Sequence, residues 1–255
     1  MIDIHTHILP EIDDGAKTID DSLLMIRQAI DAGVDVICAT PHVLGDVSGS
    51  LRERISRTFR LVVSRVEREE LKVKLLLGSE IYVRQDICSL SQFDFFSLNQ
   101  TDKYMLLELP LGHVPSNLHR LVNDLLSNGV IPIIAHPERS IAEESQFEAV
   151  KDLIRLGALT QINAGSLLGH FGSAPRKAAK RLLEKNLVDV MASDAHDPRA
   201  RPIAILRKSY PEVCRLVGKA KADELVTQNP SRILNGEEML TTHPRKATEK
   251  EVGQL

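Results

Sequence analysis

Two histidines, His5 and His7, close a short apolar run at residues 1–4. In an extended chain, residues two apart face the same side, so the two imidazoles project together and can share one cation. Pro10 and Gly15 mark a turn that brings Asp14 back to the same place. Alone, the pair reads equally well as two surface histidines. It gains meaning because metal-ligand residue types close almost every later strand-like run: His42 after residues 35–40, Glu80 after 73–78, Glu108 after 103–107, His136 after 131–135, and Asp194 and His196 after 188–192. The sixth run, 158–163, has no such residue. Nitrogen and oxygen ligands without thiolate suit manganese, iron or zinc. Nine ligands exceed the needs of one ion, so two or three neighbouring ions are implied, with Glu80 or a hydroxide bridging them. Water between two cations loses its proton near neutral pH and becomes a nucleophile. The same ions neutralise a phosphoryl group as charge builds on its oxygens. Asp14, Glu80, Glu108 and Asp194 offset the charge of the cluster.

Each residue has a plainer reading alone. His42 and His136, beside Pro41 and Pro137, serve as hydrogen-bonded loop histidines; Glu80 and Glu108 as exposed carboxylates; Asp194 and His196 as a structural pair. Convergence on one mouth requires a fold that gathers strand ends, and the intervening segments supply it. Residues 18–22 cap a helix on which Ile19, Leu23, Ile26 and Ile30 recur at helical spacing before Gly33. Residues 51–71 form a long amphipathic helix with Ile55, Phe59, Val62, Val63 and Val66 on one face and a solvated face of Arg and Glu. Further helices are expected at 116–127, 147–156, 175–186 and through 202–240, the last part starting at Asn229-Pro230-Ser231. The glycine-rich stretch 164–172 reads as a loop without the Gly and Lys spacing of a nucleotide-phosphate loop. Seven strands alternating with helices predict an α/β fold with a parallel sheet closed as a barrel, whose chemistry sits at the carboxyl ends of its strands. Residues 1–240 read as a single domain and 241–255 as a polar tail.

The chain has 255 residues, 43% hydrophobic and 26% charged, the composition of a soluble globular protein. A net charge of −3, with no basic block and no Trp, argues against nucleic-acid binding. No apolar run is long enough for a membrane span, and Asp3, His5 and His7 interrupt any signal-peptide core. Cys38, Cys88 and Cys214 are odd in number and far apart, so neither a disulfide framework nor a thiolate metal site is indicated. A reducing, cytoplasmic setting is expected.

His5-Thr6-His7, Thr40-Pro41-His42, Ser79-Glu80, Glu108-Leu109-Pro110, His136-Pro137-Glu138-Arg139 and Ser193-Asp194-Ala195-His196 resemble the polymerase-and-histidinol-phosphatase (PHP) superfamily. More narrowly, residues 7–16 and Asn163-Ala164-Gly165-Ser166-Leu167 resemble the bacterial capsule-regulating tyrosine-protein phosphatases of the CpsB/CapC/YwqE type. The resemblance runs from Met1 to about Gly236. It implies a distorted (β/α)7 barrel and a three-ion, manganese-preferring phosphatase. It further implies that His5, His7, Glu80 and Asp194 hold the first ion, Glu80, Glu108 and His136 the second, and Asp14, His42 and His196 the third. Arg139 and Arg201 match the positions where the family clamps phosphate, a task suited to the bidentate guanidinium fork, with Arg199 a competitor of Arg201. Glu11 stands where glycine is expected; if the position needs positive φ, glutamate is strained there.

The expected reaction is attack of metal-activated hydroxide on phosphotyrosine, with a phenolate leaving. Asp194 and His196 are the candidates for managing a proton, and the sequence leaves open whether either does. No cysteine lies in the Cys-x5-Arg loop of cysteine phosphatases. The resemblance implies a tyrosine-phosphorylated bacterial autokinase as partner, one that controls capsular or exopolysaccharide synthesis. A small-molecule phosphomonoesterase acting on histidinol phosphate or nucleotides, a silent phosphoprotein-binding module and a nuclease are the rival readings. Oligomeric state is open, a homo-oligomer included.

Overall fold

The computed structural model describes residues 1–44, 49–83 and 93–239. Cys88, part of the irregular stretch after Tyr82, and the tail 241–255 lie outside the described residues. Among the described residues, nine parallel strands are ordered β1 Ile2–Thr6, β2 Val36–Ala39, β3 His42–Val43, β4 Lys74–Leu77, β5 Glu80–Tyr82, β6 Tyr104–Glu108, β7 Ile131–Ala135, β8 Leu159–Asn163 and β9 Val190–Ala192. They pair as β1-β2-β4 and as β3-β5-β6-β7-β8-β9. A parallel bridge between Thr6 and Ala195, with the His7 amide donating to the Ala195 carbonyl at 2.8 Å, returns the end of β9 to β1. The strands thus follow one another round a circuit in chain order, as the alternating pattern predicts.

Beyond the second and third expected strands, 35–40 and 73–78, the chain resumes as a second short strand in each case. Pro41, which has no N–H to donate, separates β2 from β3. Gly78 lies at the other break, where a Cβ would come within 2.8 Å of the Leu98 side chain. After these breaks β5 pairs with β6, whereas β4 does not. His42 and Glu80 therefore open short second strands instead of closing the first ones. The consequence is a register: His42 lies opposite Glu80, and Tyr82 opposite Glu108. On β1, a register irregularity lies between Asp3 and Thr6. Such irregularities re-aim side chains; Ile4 belongs to the apolar interior and His5, next in sequence, to the polar mouth.

The helices are α1 Ile19–Asp31, α2 Gly49–Arg68, α3 Phe93–Phe96, α4 Leu118–Ser127, α5 Glu144–Leu156, α6 Ala164–Leu167, α7 Ser173–Glu184, α8 Ile205–Val217, α9 Lys219–Asp223 and α10 Asn229–Leu234. Thr18 caps α1 as expected: its hydroxyl accepts from the Asp21 amide, and the Asp21 carboxylate accepts from the Thr18 amide, both at 3.1 Å. α5 starts earlier than hydrophobic spacing suggests because its first turn is polar and capped by Glu143 and Gln146. α6 lies within the stretch expected to be a loop. All four of its residues are buried, and a side chain at Gly165 would meet the Phe171 ring at 3.2 Å.

Along β6 and β7 the side chains alternate. Tyr104, Leu106, Ile133 and Ala135 fill the barrel interior with Ile4, Val190 and, from α10, Ile233 and Leu234; Met105, Leu107 and Ile134 pack against the surrounding helices. One end of the interior is therefore dry, and the polar residues gather at the other. No helix among the described residues is long and apolar enough to cross a membrane.

Candidate metal centre and phosphate clamp

All nine predicted ligands converge at the carboxyl ends of the strands. Glu80 is fully buried at their centre. Its Oε1 lies 3.0 Å from His136 Nε2, and its Oε2 lies 3.0, 3.3 and 3.1 Å from His5 Nε2, His7 Nε2 and His42 Nδ1. Asp194 Oδ1 is 3.5 Å from each of His5, His7 and His196. The Asp14 carboxylate, the most exposed of the set, reaches His42 and His196 at 3.5 and 3.4 Å. Glu108 Oε2 is 3.4 Å from His42, and its Oε1 is 4.0 Å from His136. By proximity the donors form three sets: His7, Asp14, His42 and His196; His5, Glu80, His136 and Asp194; and His42, Glu80 and Glu108. This differs from the division implied by resemblance in where His7, His42 and His136 fall, and Glu80 is shared in both.

Several features fit divalent cations. Donors held about 2.1 Å from one ion sit about 3.0–3.4 Å from each other, close to the spacings here. Glu80 Oε2 is buried and has no hydrogen-bond partner, a costly state for a carboxylate oxygen unless a cation meets it. The ring tautomers also agree. His7 Nδ1 donates to Asp13 Oδ2 at 2.8 Å, His5 Nδ1 to Gln161 Oε1 at 2.8 Å, and His196 Nδ1 to the Asp194 carbonyl at 3.0 Å. Each bond leaves the Nε2 lone pair facing the cluster.

The electrostatics follow from burial. Burial alone would raise the Glu80 and Asp194 pKa values. The charge of His5 beside both, the His136 hydrogen bond to Glu80 Oε1 and the nearness of His7 to both carboxylates instead hold them well below the usual carboxylate range. Burial opposes protonation of His5 and His7, yet Glu80 and Asp194 raise His5, while Asp13, Asp194 and Glu80 raise His7 well above its ordinary value. Burial and the neighbouring charge of His7 lower His42 and push His196 down to about 2. Glu108 rises to about 6, from burial and the charge of Glu80. In the metal-free chain, protons on His5 and His7 thus answer the buried carboxylates, and cation binding displaces such protons.

Arg139 and Arg201 meet at Asp194. Its Oδ2 accepts from Arg139 Nη1 at 3.3 Å, Arg201 Nη2 at 2.5 Å and Asn163 Nδ2 at 2.6 Å. One oxygen of Asp194 therefore serves the imidazoles and the other the guanidiniums. Both guanidinium carbons also lie over the Phe171 ring, 4.5 and 5.4 Å from its centre. Arg201 Nε is buried without a partner. Arg199 takes no such place: its amide caps the Asp197 carboxylate in the exposed part of the loop.

Sequence reasoning missed four contributors. Asp13 orients His7 and also accepts from the His42 amide at 2.9 Å. Gln161 and Asn163 come from β8, the strand without a ligand; Gln161 Nε2 donates to Asn163 Oδ1 at 2.9 Å, linking His5 to Asp194 through two amides. Phe171 underlies the arginines. The doubled Asp13-Asp14 and the polar pair Gln161 and Asn163, two apart on β8, were the available signals. Three residues here have positive φ: Glu11 at 58°, His136 at 31° and Asp194 at 52°. Glutamate thus occupies a left-handed position that glycine adopts freely, and strain sits in the loops that carry the ligands. Cys38 is buried within β2, where burial pushes its thiol up to about 12, the reverse of an activated thiolate.

Comparison with known proteins agrees with this geometry. The pattern of the family described as "Capsular polysaccharide synthesis, CpsB/CapC" matches residues 1–235. The chain is 34% identical over 240 residues to the tyrosine-protein phosphatase CpsB of Streptococcus agalactiae, covering 92% of this chain and 98% of that protein. It is 39% identical over 202 residues to the tyrosine-protein phosphatase YwqE of Bacillus subtilis, covering 79% of each. A solved structure from work on YwqE of Bacillus subtilis and CpsB of Streptococcus pneumoniae, described as unique metal-dependent tyrosine phosphatases, superposes with a TM-score of 0.88 at 34% identity, over 97% of this chain and 100% of that one. With the motif residues gathered at one mouth of such a barrel and the family pattern spanning nearly all the described residues, the chain belongs to the CpsB/CapC family of capsular polysaccharide synthesis.

Proposed function

We propose that the chain is a metal-dependent protein-tyrosine phosphatase in which His5, His7, Asp14, His42, Glu80, Glu108, His136, Asp194 and His196 hold a cluster of manganese ions, with three ions the arrangement that shares Glu80. The observation that carries the reading is the sharing of Asp194 between the imidazole cluster and two guanidiniums. Bound cations supply Lewis acidity, acidifying water and neutralising charge on the phosphoryl oxygens.

The chain's own residues do the rest. Arg139 and Arg201 bind the non-bridging phosphoryl oxygens; Asp194 and Phe171 hold both guanidiniums in advance of the substrate, which reduces the ordering cost of binding. As ligands, Asp194 and His196 would turn their cluster-facing lone pairs to the ions, and the remaining ring N–H of His196 is engaged by the Asp194 carbonyl. The leaving group is therefore released as a phenolate, whose conjugate acid has a pKa of about 10 and which needs little general-acid help. The protein substrate is a tyrosine-phosphorylated autokinase governing capsular or exopolysaccharide synthesis, and the reaction belongs to the cytoplasm.

The test strips the protein of metal and adds back manganese, zinc or magnesium. A phosphotyrosine peptide, a phosphoserine peptide and histidinol phosphate are compared. Manganese restores activity, with phosphotyrosine preferred. Preference for histidinol phosphate overturns the substrate, and stoichiometric metal binding without turnover overturns the enzyme.

The orienting residues carry a prediction of their own. Asp13→Asn keeps the shape but loses the charge that fixes the His7 tautomer, and metal affinity falls about 10–100-fold. Competition with a chromophoric chelator measures this; unchanged affinity would remove Asp13 from the design.

A further inference from the structure

Beside the clamp lies a positively charged cleft that the chemistry above does not use. Phe171, the ring under both clamp arginines, is followed directly by Gly172 and Ser173, which begin a cleft of ≈ 890 Å³ along α7. Four cations line it, Arg176, Lys177, Lys180 and Arg181, against one carboxylate, Glu184. Two of the four have partners: Arg181 is forked onto Glu144 and stacked on Phe147, and Lys180 lies 2.8 Å from Glu212. Arg176 and Lys177 are exposed and pair with nothing among the described residues. α7 packs against the turn at Pro137–Arg139 that supplies a clamp arginine. The Arg176 stem passes over the loop leading to Phe171, 3.7 Å from where a Cβ on Gly169 would lie.

A concentration of cations on a chain of net charge −3 attracts anions locally rather than by overall charge. Arginine and lysine clusters on one helix face recognise acidic motifs. The geometry points to this cleft as a docking site for an acidic peptide segment, the Asp- and Glu-bearing residues that flank the phosphotyrosine of the protein substrate. This rests on the phosphatase reading above. A peptide with its phosphate on Arg139 and Arg201 that leaves the mouth across Phe171 meets Arg176 and Lys177 next, and carboxylates there satisfy the two unpaired cations. Being exposed, these charges act on encounter and KM rather than on the reacting atoms.

The test uses the metal-loaded protein, the double variants Arg176→Ala/Lys177→Ala and Arg176→Glu/Lys177→Glu, and two phosphotyrosine peptides flanked by glutamate or by alanine. p-Nitrophenyl phosphate reports the clamp and cluster alone. The unmodified protein favours the glutamate-flanked peptide by about tenfold in KM, at equal kcat and with a preference that fades as salt rises. The alanine pair of substitutions abolishes the preference, and the glutamate pair reverses it. Both variants hydrolyse p-nitrophenyl phosphate at the original rate. Fluorescence anisotropy of a labelled, unphosphorylated glutamate peptide follows docking without turnover. Equal KM for the two peptides, or a preference that survives both variants, overturns the docking site and leaves the phosphatase reading standing. A response only to a second phosphotyrosine, or binding to phosphatidylglycerol vesicles but to no peptide, also overturns it. Charge-dependent binding of the unphosphorylated peptide with no phosphotyrosine turnover supports the cleft and overturns the phosphatase.

Discussion

Glu80→Ala lowers phosphotyrosine turnover by about 10³-fold or more, the scale of losing electrostatic stabilisation at the reacting centre. Among the described residues, Glu80 is the side chain that faces His5, His7, His42 and His136 together, at 3.0–3.3 Å. Its two oxygens divide those rings, one towards His136 and the other towards the remaining three. Alanine leaves imidazoles facing one another without the anion between them, so cations held there would lose a shared ligand and repel more strongly. Metal content falls with activity. The side chain belongs to the polar mouth rather than to the apolar interior, so the barrel remains folded and circular dichroism is unchanged. Glu80→Gln, which keeps the volume and removes the charge, is nearly as inactive. Full metal occupancy with near-normal turnover in either variant would sink the shared-ligand cluster.

The second large effect is at Arg201. Arg201→Ala reduces kcat/KM for the phosphotyrosine peptide by about 10²–10³-fold while bound metal stays constant. Arg201 holds Asp194 Oδ2 through Nη2 at 2.5 Å and keeps Nε buried without a partner, a donor that a bound phosphoryl oxygen would satisfy. Inorganic phosphate inhibits the variant more weakly, because the same fork serves product and substrate. Arg201→Lys recovers only part of the loss: an ammonium restores charge but neither the bidentate geometry nor the stacking over Phe171. Arg139→Ala behaves in the same direction but more mildly, since Arg139 sits 3.3 Å from Asp194. Loss of metal from the Arg201 variant would mean that the arginine acts by holding Asp194 for the ions, not by holding phosphate.

The chain order of the strands, the capping of α1 at Thr18 and the nine His, Asp and Glu side chains that converge at the strand ends were all legible in the sequence. Their periodicity and residue types are local properties, and parallel strands return every strand end to the same side. Glu11 also announced itself, as a side chain where a left-handed backbone favours glycine. The resumption of the chain as β3 at His42 and as β5 at Glu80 was not legible. Residues 73–78 read as one strand closing at Glu80, whereas Glu80 opens a further strand that pairs with β6, and Leu98 packs against Gly78 at the junction. The tertiary structure alone decided which nitrogen of each histidine faces the cluster. His5 is oriented by Gln161, 156 residues away, and Asp194 is held by Asn163, Arg139 and Arg201 from three different loops and strands. Residue types declare what can bind a cation. Which lone pair is offered, and which oxygen is shared, depends on hydrogen bonds between segments that meet only when the barrel closes.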